Sequence, residues 1–285
     1  MLLAACGTKE KEYDATGTFE ATEVTVSAEQ NGRLLQFDVV EGDHLKAGQQ
    51  VALIDTVQLY LRARQMGATR QVYATQRPDA PKQIAATREQ LAKAKQEAAR
   101  YSALVKDGAA NQKLLDDAKS QVLVLERQLA ALQSSLNNST QSLNAQMSTT
   151  DIQRSQVLDQ LQKCHVLSPI TGTVLEKYTE LGEFATTGRP LFKLADTDNM
   201  FLRAYVTSRQ LKDVKVGQQV KVFADYGDGE RKEYNGKVTW ISSRAEFTPK
   251  TILTDDERAD LVYAVKIAVK NDGYIKIGMY GEVKF

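Results

Sequence analysis

Tryptophan occurs once in these 285 residues, and cysteine and histidine twice each. Cys6 and Cys164 lie far apart in unlike contexts, so no disulfide framework is read from them. His44 and His165 have no cysteine or carboxylate set at metal-ligand spacing, and both read as structural. Charge of one sign is missing too: 37 basic residues face 36 acidic ones. That balance removes the electrostatic case for nucleic acid. No apolar run approaches the roughly 18 residues of a membrane-spanning helix. The chain holds no Gly-x-Ser-x-Gly elbow, no phosphate-binding glycine loop and no histidine–carboxylate pairing. It is therefore read as a protein without catalysis, metal or cofactor.

What is present is a repeat. Gly32-Arg-Leu-Leu-Gln-Phe-Asp-Val-Val-Glu-Gly42, then Gly48 and Val-Ala-Leu-Ile-Asp55, is matched by Gly172-Thr-Val-Leu-Glu-Lys-Tyr-Thr-Glu-Leu-Gly182, then Gly188 and Leu-Phe-Lys-Leu-Ala-Asp196. The glycines keep one spacing in both copies, and they are expected to serve as structural turns. A small β-module is thus split in two, with Leu34, Phe37, Val39, Val51, Leu53 and Ile54 as its expected core. Before it, Phe19, Ala21, Val24 and Val26 alternate as in a half-buried strand.

Between the halves lies a helical stretch, residues 57–163. Leu59, Met66, Tyr73, Ala80, Thr87, Ala94 and Tyr101 recur every seven residues, with Ile84, Leu91, Ala98 and Val105 as companions. Lys106–Asn111 gives the expected helix end, with Gly108 suited to a left-handed cap. A second seam follows through Leu115, Val122, Leu129, Leu136, Leu143, Thr150 and Val157, interleaved with Ala118, Leu125 and Leu132. Beyond Leu136 the interleaved positions become Ser139, Gln146, Gln153 and Gln160, which predicts a polar, loosely packed half. Two matched arms imply an antiparallel coiled-coil hairpin about 75 Å long. Pro78 and Pro81 must break or kink the first arm. A further turn at Asn137–Thr140 would instead give a four-helix bundle, but the unbroken heptad phase favours the hairpin.

Short strands with glycine-rich turns from Phe201 to Phe285 predict a small β-barrel, with a helical turn over Ser208–Val214 and Trp240 in the core. Phe247–Asp260 reads as a loop, with Asp255-Asp256-Glu257 a solvated face. Cys164 reads as a small buried hydrophobe at the hairpin base. At the other end, Leu3-Ala4-Ala5-Cys6-Gly7 resembles the lipobox of bacterial lipoproteins, which makes Cys6 the expected lipidation site. Only Met1 and Leu2 precede it, so the expectation is a truncated sequence or a misplaced start codon. A polar tether leads on to Asp14.

The whole from Thr18 to Phe285 resembles the HlyD family of periplasmic adaptors, or membrane fusion proteins. Leu167-Ser168-Pro169-Ile170-Thr171-Gly172-Thr173-Val174 is the most specific match. The resemblance implies an α+β fold of several domains: tether 1–17, N-terminal strand and first lipoyl half-motif 18–56, helical hairpin 57–163, second half-motif 164–196, and barrel 197–285. A membrane-proximal β-domain found in many members is expected to be absent, or reduced to strands from Tyr13 to Ala28. The implied role is an adaptor that links an inner-membrane transporter, ABC-type or proton-driven, to a TolC-like outer-membrane channel. Copies would associate in a ring, and a lipid anchor would hold each to the periplasmic face of the inner membrane. At the hairpin tip Arg100, Leu104, Asp116 and Ala118 fall in the family register, while Asn111 stands where a serine is usual; Arg100, Leu104 and Asn111 are the expected partner-binding residues. Two other functions fit the pattern less well. A lipoyl or biotinyl carrier would need a lysine in the turn that the hairpin replaces. An envelope spacer would share the fold but lack a transporter partner.

Overall fold

The computed structural model describes residues 13–227, 230–247 and 261–285, for Phe247 the backbone alone. Cys6, most of the tether and most of the expected loop 247–260 lie outside the described residues. The chain divides into two compact units. One comprises the chain up to Asp55 together with Cys164–Phe285, and the other is Thr56–Lys163.

In the first unit the repeat becomes an interlocked β-sandwich. The first half supplies β2 (Gly32–Phe37), β3 (His44–Leu45) and β4 (Gln50–Ile54); the second supplies β5 (His165–Leu167), β6 (Gly172–Lys177), β7 (Phe184–Ala185) and the start of β8 (Pro190–Thr207). Neither half pairs mainly with itself. One sheet runs β5-β4-β2-β7, and β3 pairs with β6 in the other. The turn bonds show why two half-motifs are needed. Gly42 N–H donates to Val174 O at 2.9 Å, and Gly182 N–H to Leu34 O at 3.0 Å. Gly48 N–H donates to Ser168 O, and Gly188 N–H to Ala28 O, at 2.7 and 2.8 Å. Ala47 N–H donates to the Thr171 hydroxyl and Thr187 N–H to the Asn31 amide oxygen. Each bond recurs at one constant offset with the halves exchanged, so the module has an internal two-fold relation. Each half satisfies backbone groups that the other would leave bare.

Four of the six repeat glycines sit at left-handed turns: Gly42, Gly48, Gly182 and Gly188 have φ between 78° and 93°. Gly32 and Gly172 depart from the expectation, because both lie within strands. There the missing side chain matters for space: a Cβ on Gly172 would stand 2.2 Å from Ala195 O, and one on Gly32 2.7 Å from Ile54 Cγ2. Leu34, Phe37, Val39, Val51 and Ile54 are buried as expected, with Leu53 half-buried.

β8 and β1 (Ala15–Ser27) pair along most of their length and run from the sandwich into the barrel. The barrel closes in the order β1-β12-β9-β10-β11-β8, with β9 (Gln219–Gly227), β10 (Glu230–Phe247), β11 (Leu261–Lys270) and β12 (Tyr280–Lys284). Closure removes the exposed edges that would invite further pairing. Its core holds Phe19, Met200, Leu202, Val222, Val265 and Ile267. Residues 15–27 therefore complete the barrel and the sandwich and form no separate β-domain. The helical turn over Ser208–Val214 is a single 3-10 turn, Leu211–Asp213. Trp240 corrects the sequence reading. Tyr234, Gly236 and Val238 point inward by alternation, but a bulge between Val238 and Trp240 adds a residue and turns the indole outward, 44% exposed.

The second unit is α1 (Val57–Thr75), α2 (Ala80–Lys106) and α3 (Gln112–Gln162). α3 stays helical through Asn137–Thr140, which excludes the four-helix alternative. The prolines end the first helix outright: Pro78 and Pro81 flank Asp79, which caps α2 by accepting from Lys82 N–H. Register survives the break. Arg70 bonds Asp151 at 2.9 Å, Arg77 bonds Asn144 at 2.5 Å, and Lys95 pairs with Glu126 at 2.7 Å. Seven residues forward on one arm is seven back on the other, and eighteen forward is eighteen back, close to five helical turns.

Every predicted position of the leading seam on each arm is at least half-buried, including Leu59, Tyr101, Leu115 and Val157. The polar half needs correction. Ser139, Gln146 and Gln153 are exposed, with Thr140 and Met147 half-buried in place of the first two, while Gln160 is half-buried as expected. A straight helix of 3.6 residues per turn drifts against a seven-residue repeat, which moves the companion series on by one residue at Thr140 and Met147 while the leading seam keeps its phase through Leu143, Thr150 and Val157. On the first arm the companion series extends back through Arg77, Arg70 and Ala63, of which Ala63 is buried and Arg70 half-buried. Cys164 lies past the end of α3 and belongs to the sandwich, where its carbonyl accepts from Ile54 N–H.

Candidate functional site

The hairpin tip is built by two caps. α2 ends at Lys106 with Asp107 as its C-cap, Gly108 takes φ +73°, and Ala109 N–H reaches back to Leu104 O at 2.8 Å. This is the six-to-one bond of a glycine-terminated helix. Asn111 then opens α3 in extended geometry, and its side-chain oxygen accepts from Lys113 N–H at 3.0 Å. Asparagine and serine are comparable N-caps, so the departure from the family's usual serine preserves the structural role. Gln112 donates to Asp116 across one turn at 3.0 Å.

The three expected contact residues share the tip but differ in setting. Arg100 is exposed, pairs with Glu97 at 2.6 Å, and lies 5.5 Å over the Tyr101 ring. Leu104, four residues on and on the same helical face, is partly exposed. Leu114 was missed by the sequence reading. It is more exposed than Leu104, while its neighbour Leu115 fills the seam. The signal was the Leu114-Leu115 doublet, since a heptad seam takes only one of two adjacent residues. The tip thus offers apolar surface, a guanidinium and a capping amide, a set suited to recognition and not to bond chemistry.

Elsewhere the titratable groups serve structure. Burial, then the charge of Asp55, pushes the Cys164 thiol up, which keeps it protonated. His165 Nδ1 lies 3.0 Å from Gln50 Oε1, and His44 stands exposed in β3. Among the described residues no three His, Cys, Asp or Glu side chains gather as metal ligands, and no helix is long and apolar enough to cross a membrane.

A split sandwich interrupted by a hairpin and continued by a barrel is the architecture of a membrane fusion protein. Residues 22–197 match the family described as RND MFP, barrel-sandwich hybrid domain, and the chain belongs to that family of adaptors. A UPF0194 membrane protein of Yersinia enterocolitica is 40% identical over 126 residues, 44% of this chain and 38% of the relative. UPF0194 membrane protein YbhG of Salmonella arizonae is 36% identical over the same shares. The matches thus span under half the length of these relatives. Among solved structures, MacA from Actinobacillus actinomycetemcomitans aligns over 94% of this chain and 76% of its own, with TM-score 0.55 and 22% identity. The membrane fusion protein Spr0693 of Streptococcus pneumoniae R6 aligns over 94% and 97%, with TM-score 0.51 and 19% identity. At such identities the likeness is one of fold.

Proposed function

We propose that this adaptor bridges an inner-membrane transporter, ABC-type or proton-driven, to a TolC-like channel in the outer membrane, on the periplasmic side of a Gram-negative envelope. The observation that carries the reading is the hairpin: α3 alone has 51 residues, about 76 Å of helix. It has a capped tip and no competing chemistry among the described residues. Arg100, Leu104 and Asn111 are the proposed channel contacts, joined by Leu114. Asn111 acts mainly by fixing the tip, since its oxygen caps α3. Cys6 is the proposed lipid anchor; triple acylation of the lipoprotein type would make it firm where one chain would not. Copies would form a ring through the sandwich modules, and the work done would be mechanical.

The polar lower half of the hairpin would serve contacts between neighbouring hairpins. Gln146 and Gln153 are exposed, and so available to adjacent hairpins. Gln→Leu changes at these positions that left transport untouched would count against that role. The bridging reading is tested with a photo-crosslinker at Asn111 in the native host. Capture of an outer-membrane channel supports it; capture of this chain alone, or of nothing, favours a spacer without a channel.

A further inference from the structure

One end of the barrel gathers features that the adaptor reading leaves unused. The loop 208–218 crosses there from β8 to β9, and Leu211 and Val214 turn inward to the core. Asp14 joins the same end: its carbonyl accepts from Gln210 Nε2, and its carboxylate from Phe285 N–H at 2.9 Å. The outer side of this loop is basic. Arg209, Lys212 and Lys215 are exposed, against Asp213 on the loop and the Asp14 carboxylate at the same end. None of the three cations forms an ion pair among the described residues.

Beside these cations stand two apolar side chains in the open. Val216 is 64% exposed and Trp240 44%. They are neighbours: Gly217 N–H donates to Val238 O at 2.8 Å, and Val238 N–H to Gln218 O at 2.9 Å. Beyond the last register pair, Gln219 with Lys237, Gly217 and Gln218 thus both bond Val238, and Val216 and Trp240 each lie within two residues of that contact. On the far side of Trp240 lies Lys266, its register partner on β11, which faces the Glu20 carboxylate at 3.8 Å and so leaves Lys212 and Lys215 as the unpaired cations. An indole and an aliphatic tip flanked by lysines match a phospholipid interface, where the rings sit at headgroup level and the ammonium groups meet phosphate.

We propose that this end of the barrel, through Trp240, Val216, Lys212 and Lys215, docks on an anionic phospholipid surface. Chain length agrees. Eight residue steps separate Cys6 from Asp14, a reach of at most about 28 Å, so a lipid on Cys6 would hold this end close to the bilayer. That leash argument rests on the anchor reading; the patch does not.

Because Trp240 is the sole tryptophan, its fluorescence reports the contact directly. The full chain carrying Cys6→Ser is titrated with phosphatidylcholine vesicles rich in phosphatidylglycerol, and with phosphatidylcholine alone. Trp240 emission shifts to the blue, and brominated acyl chains quench it, with the anionic vesicles only. Lys212→Glu with Lys215→Glu weakens vesicle affinity more than about tenfold; Val216→Asp abolishes the quenching. All three positions are exposed, so unchanged melting of each variant keeps the comparison one of binding. No spectral response to anionic vesicles overturns the proposal, as does an equal response to neutral ones. A response only to a detergent-solubilised membrane protein overturns it in favour of a protein contact. Palmitate labelling in the native host separates the two readings: unlabelled Cys6 with responsive Trp240 sinks the anchor alone, and labelled Cys6 with silent Trp240 sinks the patch alone.

Discussion

Gly172 and Gly32 occupy equivalent places in the two half-motifs, yet an added methyl group should act very differently at each. At Gly172 the new Cβ would stand 2.2 Å from Ala195 O and 2.7 Å from Ala195 C, where 3.4 Å begins ordinary contact. The carbonyl would have to retreat by more than 1 Å. It has little room to do so, because Ala195 pairs with Thr173 on β6 and with Glu23 on β1. At Gly32 the nearest atom is Ile54 Cγ2 at 2.7 Å, a side-chain methyl group, and the next stands at 3.5 Å. A shift of one isoleucine relieves that clash. In a strand, replacing glycine by alanine otherwise stabilises by roughly 0.5–1 kcal/mol, while overpacking costs about 1–3 kcal/mol. Gly32→Ala is therefore expected to fall within about 0–2 kcal/mol of the parent. Gly172→Ala must push neighbouring strands apart and should exceed about 3 kcal/mol, or roughly 6–12 °C in melting temperature for a unit of this size. Trp240 fluorescence follows unfolding of this unit alone, since the hairpin has no tryptophan. Equal losses for the two variants, or a larger one at Gly32, would refute the packing argument.

Asp272 accepts from Lys232 Nζ at 2.5 Å and from the Tyr234 hydroxyl at 3.0 Å, with three tyrosine rings around the ammonium. Lys232 above all holds its carboxyl down to about 2 from an ordinary 3.8. A depressed carboxyl stabilises above its unfolded value and loses that contribution as pH falls towards the folded one. The barrel should thus lose melting temperature between about pH 4 and 2 more steeply than Asp272→Asn does, and parallel profiles would exclude the linkage. Asn111→Ala removes the α3 cap and should lower hairpin stability by about 1 kcal/mol in circular-dichroism melts, whereas Asn111→Ser should leave it nearly unchanged. Leu136→Ala empties a buried seam position and should cost about 2 kcal/mol or more by the same melts. Gln153→Leu, on the exposed face, should change hairpin melting by less than about 0.5 kcal/mol.

The spacing of six glycines and the change from a two-residue to a seven-residue period make the split module and the hairpin legible in the sequence. Those signals are local and strong: a positive φ at Gly42 or Gly108 leaves a residue-type signature, and a long helix repeats its inward face many times. The errors arose where one extra residue or a slow drift decides the outcome. A bulge beside Val238 leaves no mark on composition, yet it moves Trp240 from core to surface. The slip between 3.5 and 3.6 residues per turn accumulates unnoticed until Thr140 and Met147 replace Ser139 and Gln146 at the seam. Gly32 and Gly172 show the remaining limit, since a glycine kept for space and one kept for φ look alike in a sequence. Of the tip, Arg100, Leu104 and Asn111 were placed by resemblance; Leu114 became visible only when its neighbour Leu115 was seen to be buried.

The proline break and the polar lower seam belong to one arrangement. Above the break, Leu91, Leu115, Leu125 and Leu136 bury apolar surface between the arms, and that contact tolerates small slips. Below it, Arg70 meets Asp151 and Arg77 meets Asn144, contacts that hold only when donors and acceptors face one another. Such half-exposed pairs add little stability, but each misalignment separates a specific partner, so they fix which residue sits opposite which. A helix interrupted at Gln76–Asp79 has no continuous backbone hydrogen bonding to carry phase across the gap. The unbroken α3 carries it instead: Arg70 locks the shorter α1 to that template, and Arg77 ties the break itself to it. Packing and register in this half thus come from different groups: Ala63, Thr150 and Val157 are buried at the seam, while the arginine pairs fix which residue sits opposite which.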